Sequence, residues 1–153
     1  MAKSRCRQRN QKIMNIENIK QAIETQATMA TTLGMTFLST PEADTCQATM
    51  PVDEHTCQPY GVLSGGASLA LAEMLAGVAS QALCPGQLCM GINVSGQHVK
   101  AARKGQTVTG TARLVHRGST LHVWQVNVTD EGGDTVSNIS VTNFILKPKE
   151  ETE

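Results

Sequence analysis

The sequence predicts an α+β domain in which a curved antiparallel sheet wraps around one long buried helix. Three observations carry this. The run from 65 to 83 is built of strong helix formers and is apolar on almost every side, so it must be covered. Four segments rich in Val, Thr and Ile follow it, separated by short turns, which favours antiparallel hairpins. The 153 residues fit one domain with a core large enough to need no disulfide staples, and only a curled sheet is available to enclose the helix.

Each element has its own signal. Ile13, Ile16, Ile19, Ile23 and Ala27 recur at three- and four-residue steps, which predicts an N-terminal amphipathic helix over 15–32, stopped by Gly34. Residues 35–40 and 45–53 read as two strands around a Pro41-Glu42-Ala43-Asp44 turn. Pro85-Gly86 ends the long helix. Strands are then expected over 88–99, 106–116, 120–129 and 135–146, with breaks at Gly105, Arg117-Gly118-Ser119 and Glu131-Gly132-Gly133-Asp134. The boundaries expected are a basic disordered head over 1–12, a domain over 13–147, and a mobile tail over 148–153.

The helix over 65–83 is nearly long enough to cross a bilayer. It lacks basic anchors, carries Glu73 and Gln81, and runs into strand-like sequence, which argues against a membrane span. Net charge is zero, but residues 1–12 hold Lys3, Arg5, Arg7, Arg9 and Lys12 with no acid, so the remainder is acidic. That balance, with 3% aromatic residues, excludes a general nucleic-acid binder. Five scattered cysteines without a C-x-x-C pair fit a reducing, cytoplasmic compartment. Metal motifs, a phosphate-binding glycine loop and a G-x-S-x-G elbow are all missing.

The run Gln58-Pro59-Tyr60-Gly61-Val62-Leu63-Ser64-Gly65-Gly66, followed by a helix bearing Glu73, resembles the signature of hotdog-fold acyl-CoA thioesterases. The nearest group is the phenylacetate-degradation type, which includes 4-hydroxybenzoyl-CoA and 1,4-dihydroxy-2-naphthoyl-CoA thioesterases. The likeness spans about residues 33 to 147. It differs at two positions: the family's usual His before the double glycine is Ser64, and the hydroxyl residue one turn after the acid is Gly77. The resemblance implies hydrolysis of an aryl or medium acyl-CoA, with no cofactor other than the CoA of the substrate and no metal. It also implies a homodimer with shared sites, commonly doubled to a tetramer.

The residues suit that chemistry. Gly65 and Gly66 open the helix, where backbone N–H groups lack intrahelical acceptors and the dipole adds positive potential. A thioester oxygen aimed at the Gly65 N–H gains an oxyanion-hole interaction. Glu73 is the only charged residue between His55 and Val99; it is the candidate base or nucleophile, and its apolar helix predicts a desolvated carboxylate. Gln58 is placed to bond the carbonyl or orient water, or else to bond loop backbone. Ser64 reads as helix N-cap or as a substrate contact. About 12 Å of helix separates Gly65 from Glu73, too far for one carbonyl to touch both in one chain.

Lys100, Arg103, Lys104, Arg113 and Arg117 cluster in the sequence and offer a site for the CoA phosphates, or solvated turns. Arg117-Gly118-Ser119-Thr120 resembles the family turn that contacts the nucleotide end of CoA; Lys100 and Arg103 are further candidates. His98 and His122 read as satisfied sheet residues. The alternatives are a non-catalytic acyl-CoA-binding or sensing module and a hotdog hydratase or dehydratase; the latter usually needs a His where Ser64 stands.

Overall fold

The computed structural model describes residues 13–148. The expected head and most of the expected tail lie outside the described residues. Two short helices, α1 (Glu17–Glu24) and α2 (Met29–Thr32), precede strands β1 (Thr36–Leu38) and β2 (Thr45–Pro51). The long helix α3 (Gly65–Leu83) follows, then β3 (Leu88–His98), β4 (Thr107–Arg117), β5 (Leu121–Thr129) and β6 (Thr135–Leu146).

All six strands form one antiparallel sheet in the order β1-β2-β4-β5-β6-β3. Strands β4, β5 and β6 make the expected hairpins. Strand β3 instead crosses to the far edge and pairs with β6, with His98 opposite Ser137. Bulges at Gly91/Asn93 and Leu114/His116 add local twist to the curved sheet.

Helix α3 packs against β2 through β6. Its small residues Ala72, Ala76 and Ala79 are fully buried and let it lie close to the strands, as does Gly110, where a side chain would press on Leu71 and Leu75. Strand β5 alternates so that His122, Trp124, Val126 and Val128 all point inward. Trp124 and Phe37 are the bulkiest of the core side chains. The length and apolarity of α3 fit a bilayer as well as a core, and this packing decides for the core.

The N-terminal helix expected over 15–32 is two helices. Thr25 turns its hydroxyl onto the Gln21 carbonyl at 2.9 Å, the Thr28 N–H donates to Thr31 Oγ1 at 3.0 Å, and Thr31 Oγ1 donates to the Gln26 carbonyl at 3.0 Å. These local side-chain bonds compete with helical ones and break the helix between Glu24 and Met29. Ala27 falls in the break and is exposed.

Under the C-terminal half of α3 sits a closed polar cluster. The fully buried Ser80 Oγ accepts from Trp124 Nε1 at 2.8 Å and from Asn143 Nδ2 at 2.9 Å. Its single proton is then left for His122 Nδ1 at 3.0 Å. Asn143 also donates to the Ala76 carbonyl at 2.9 Å. Burial, reinforced by the charge of nearby Arg117 and by His116, depresses the His122 pKa to about 4, so this ring is neutral. His122 is the satisfied sheet histidine the sequence suggests.

Candidate active site

The loop from Asp53 to Ser64 delivers the first turn of α3 to an open cleft. Gln58 N–H bonds the Val62 carbonyl at 2.9 Å, and Gly61, at φ 76, closes that turn in a conformation that favours glycine. Leu63 N–H bonds the Ala102 carbonyl and Lys104 N–H bonds the Gly61 carbonyl, tying the loop to the β3–β4 connection. Ser64 occupies the N-cap position, yet its hydroxyl makes no capping bond. The capping reading of Ser64 is therefore right for the backbone and wrong for the side chain, which stays available.

A cavity of about 350 Å³ is lined by Gln58, Val62, Gly65, His98, Val99 and Lys100. His98 is the residue the sequence reading passed over. It ends β3, bonds Ser137 Oγ through Nδ1 at 2.8 Å, and lays its other edge on Gly65. A Cβ at position 65 would lie 2.5 Å from His98 Nε2, so any larger residue there must push the imidazole out of place. The signal in the sequence was weak, because only the crossover of β3 brings His98 to the helix start.

Glu73 lies two turns along α3 on its outer side. The expectation of a desolvated carboxylate is corrected for the single chain: Glu73 is exposed. Helix α3 is covered by the sheet and, in part, by α1, and Glu73 sits at the open margin beside the edge strand β3. The carboxylate rests over Gly91 of β3, where a Cβ would come within 2.6 Å of Glu73 Oε1. Beside it, an apolar cavity of about 290 Å³ is lined by Ile19, Ile23, Phe37, Met74, Gly77 and Val78. The Gly77 Cα faces open space, so the missing hydroxyl leaves room instead of a contact.

The basic residues divide. Arg103 is exposed beside the Gln58 loop, bridged to Val62 through the backbone. Lys100 Nζ is held by Asp130 at 2.5 Å and Asp134 at 2.6 Å, two carboxylates that offset its charge toward a phosphate. Arg117 turns inward and donates from Nη2 to the Leu83 carbonyl at 3.1 Å, closing the C-terminal end of α3, and burial lowers its pKa. Its side chain therefore departs from the expected phosphate contact, because the bare carbonyls of the helix end compete for it. Gly118, Ser119 and Thr120 remain at that turn, about 27 Å of helix from Gly65. The structure thus gathers Gln58, Ser64, Gly65, Gly66, His98 and Arg103 at one end of α3. It holds Glu73 apart from them and the 117–120 turn at the opposite end.

Residues 60–137 match the thioesterase superfamily. The chain belongs to that superfamily. Among its relatives is the 1,4-dihydroxy-2-naphthoyl-CoA hydrolase of Escherichia coli strain K12, 42% identical over 104 residues, covering 67% of this chain and 76% of that protein. A proofreading thioesterase, EntH, of Cronobacter sakazakii is 39% identical over 120 residues, 78% of this chain and 86% of that one. A thioesterase crystal structure from Haemophilus influenzae superposes with a TM-score of 0.80 at 32% identity, over 91% of this chain and 95% of its own. The thioesterase fold expected from the Gln58–Glu73 run is therefore established, down to the sheet wrapped on α3.

Proposed function

We propose that this thioesterase hydrolyses aryl or medium acyl-CoA thioesters to the free acid and CoA. The observation that carries this reading is the first turn of α3, whose unpaired Gly65 N–H opens on the cavity shared by Gln58 and His98. A thioester oxygen seated there receives the Gly65 amide and, from the side, the His98 imidazole, while Gln58 orients the carbonyl or a water. Glu73 then attacks the carbonyl carbon, expelling CoA as the thiolate and leaving a mixed anhydride that water hydrolyses to the free acid, or it removes a proton from a water that attacks directly. The apolar cavity one turn beyond Glu73 suits an acyl tail of moderate size.

The catalytic unit in this reading is a homodimer, with Gly65 and Glu73 of each site from different copies. Strand β3 is an edge strand with Leu88, Met90 and Ile92 exposed, and Glu73 lies against it at Gly91. A second copy on that edge would cover the carboxylate and satisfy the open backbone. A two-fold axis that sets Glu73 beside the partner's helix start also sets its own 117–120 turn about 15 Å beyond that start. This spacing supports CoA lying along α3, its phosphates near Gly118, Ser119, Thr120 or Arg103. A tetramer would pair two such dimers, and we assign the protein to the cytoplasm.

The test is thiol release from aryl and aliphatic acyl-CoAs by the wild type and Glu73→Ala. The substitution is expected to remove at least about 100-fold of kcat. Binding of acyl-CoA with release no faster than background across the panel overturns the hydrolase reading and leaves a binding module.

A further inference from the structure

Ser137 sits directly across the ladder from His98, so both side chains share one face of the sheet. The two differ sharply in environment. Ser137 is fully buried and His98 is exposed on the edge strand. A fully buried hydroxyl costs free energy unless it is bonded, and its side-chain partner is His98 Nδ1 at 2.8 Å. The imidazole is thus pinned at both edges, by Ser137 Oγ behind and by Gly65 in front.

We propose that Ser137 is a positioning residue: its hydroxyl donates to His98 Nδ1 and holds the ring with Nε2–H aimed at the oxygen gathered by the first turn of α3. This rests on the hydrolase reading above. The tautomer decides the sign of the effect. With the proton on Nε2, His98 adds a donor beside the Gly65 amide as the carbonyl oxygen becomes negative. With the proton on Nδ1, the same ring presents a lone pair to that oxygen and repels it. A hydroxyl can donate or accept, but if the buried Ser137 accepted from Nδ1–H its own proton would lack a side-chain acceptor, so donation to Nδ1 satisfies both groups and sets the tautomer without touching substrate.

The experiment combines side-chain nitrogen NMR of His98 with steady-state kinetics on the acyl-CoA that turns over fastest. In the wild type, His98 is expected as the Nε2–H tautomer. Ser137→Ala is expected to mix the tautomers and lower kcat about tenfold or more, with KM within about twofold. Ser137→Thr, which keeps the hydroxyl, is expected to restore both readouts. A wild-type His98 protonated at Nδ1 overturns the proposal, as does a Ser137→Ala enzyme with unchanged kcat. If Ser137→Ala does not fold, the wild-type nitrogen shifts still decide. A wild type without hydrolase activity defeats the functional reading alone, since the nitrogen shifts test the Ser137–His98 geometry independently.

Discussion

The two ends of α3 each hold a histidine bonded through Nδ1 to a serine, and they use the pair in opposite ways. At the C-terminal end, His122 and Ser80 are sealed under the helix, and every proton of the Ser80 cluster has an acceptor. At the N-terminal end, Ser137 is buried but His98 stands in an open cleft with its second edge on Gly65, whose amide opens the helix. A network whose donors all have acceptors specifies packing, even with Asn143 Oδ1 left unpaired. One with open donors leaves them for a ligand. The same motif therefore holds the fold together at one end and leaves an open cleft with unused donors at the other.

If that contrast is right, damage at the closed end costs stability and spares turnover. Ser80→Ala is the strongest test. It strands the partners Trp124, Asn143 and His122 in the core, and denaturant unfolding is expected to show a loss of at least about 2 kcal/mol, with kcat of the folded enzyme little changed. A stable Ser80→Ala protein would break the comparison.

Acid should act at the same end. His122 is held near pKa 4 in the fold against an ordinary value of 6.5. The unfolded chain therefore binds more protons between those values, and stability falls as pH drops from about 6.5 to about 4. Unfolding free energies measured across that window should show the slope, and His122→Gln should flatten it.

The smallest expected effect is at Arg117. Losing its bond to the Leu83 carbonyl in Arg117→Ala should cost about 1 kcal/mol of stability without changing KM for acyl-CoA. A raised KM with unchanged stability would return Arg117 to the phosphate site that its sequence context suggests.

Much of the fold was legible because it is written locally. The helix over 65–83 and the four strands after it announce themselves through residue type, period and turn chemistry, and their observed limits match closely. The N-terminal helix misled because Thr25, Thr28 and Thr31 act through hydroxyl bonds that an apolar period does not register. Of the candidate site residues, Gln58, Ser64, Gly65 and Glu73 stand in one continuous run, though the fold sets Glu73 apart from the rest. His98 was not, since it lies in a separate segment whose partner strand is the last in the chain.

By itself, then, the sequence determined the helix, the strands, the turn before Gly65 and the single carboxylate on an apolar helix. These depend on neighbours a few residues apart. Only the tertiary structure decided that β3 crosses to the edge beside β6, which brings His98 over Gly65 and Ser137 behind it. It also decided that Glu73 faces outward and that Arg117 closes the far end of α3. Each of those outcomes depends on contacts between distant segments, and packing, not local propensity, selects them.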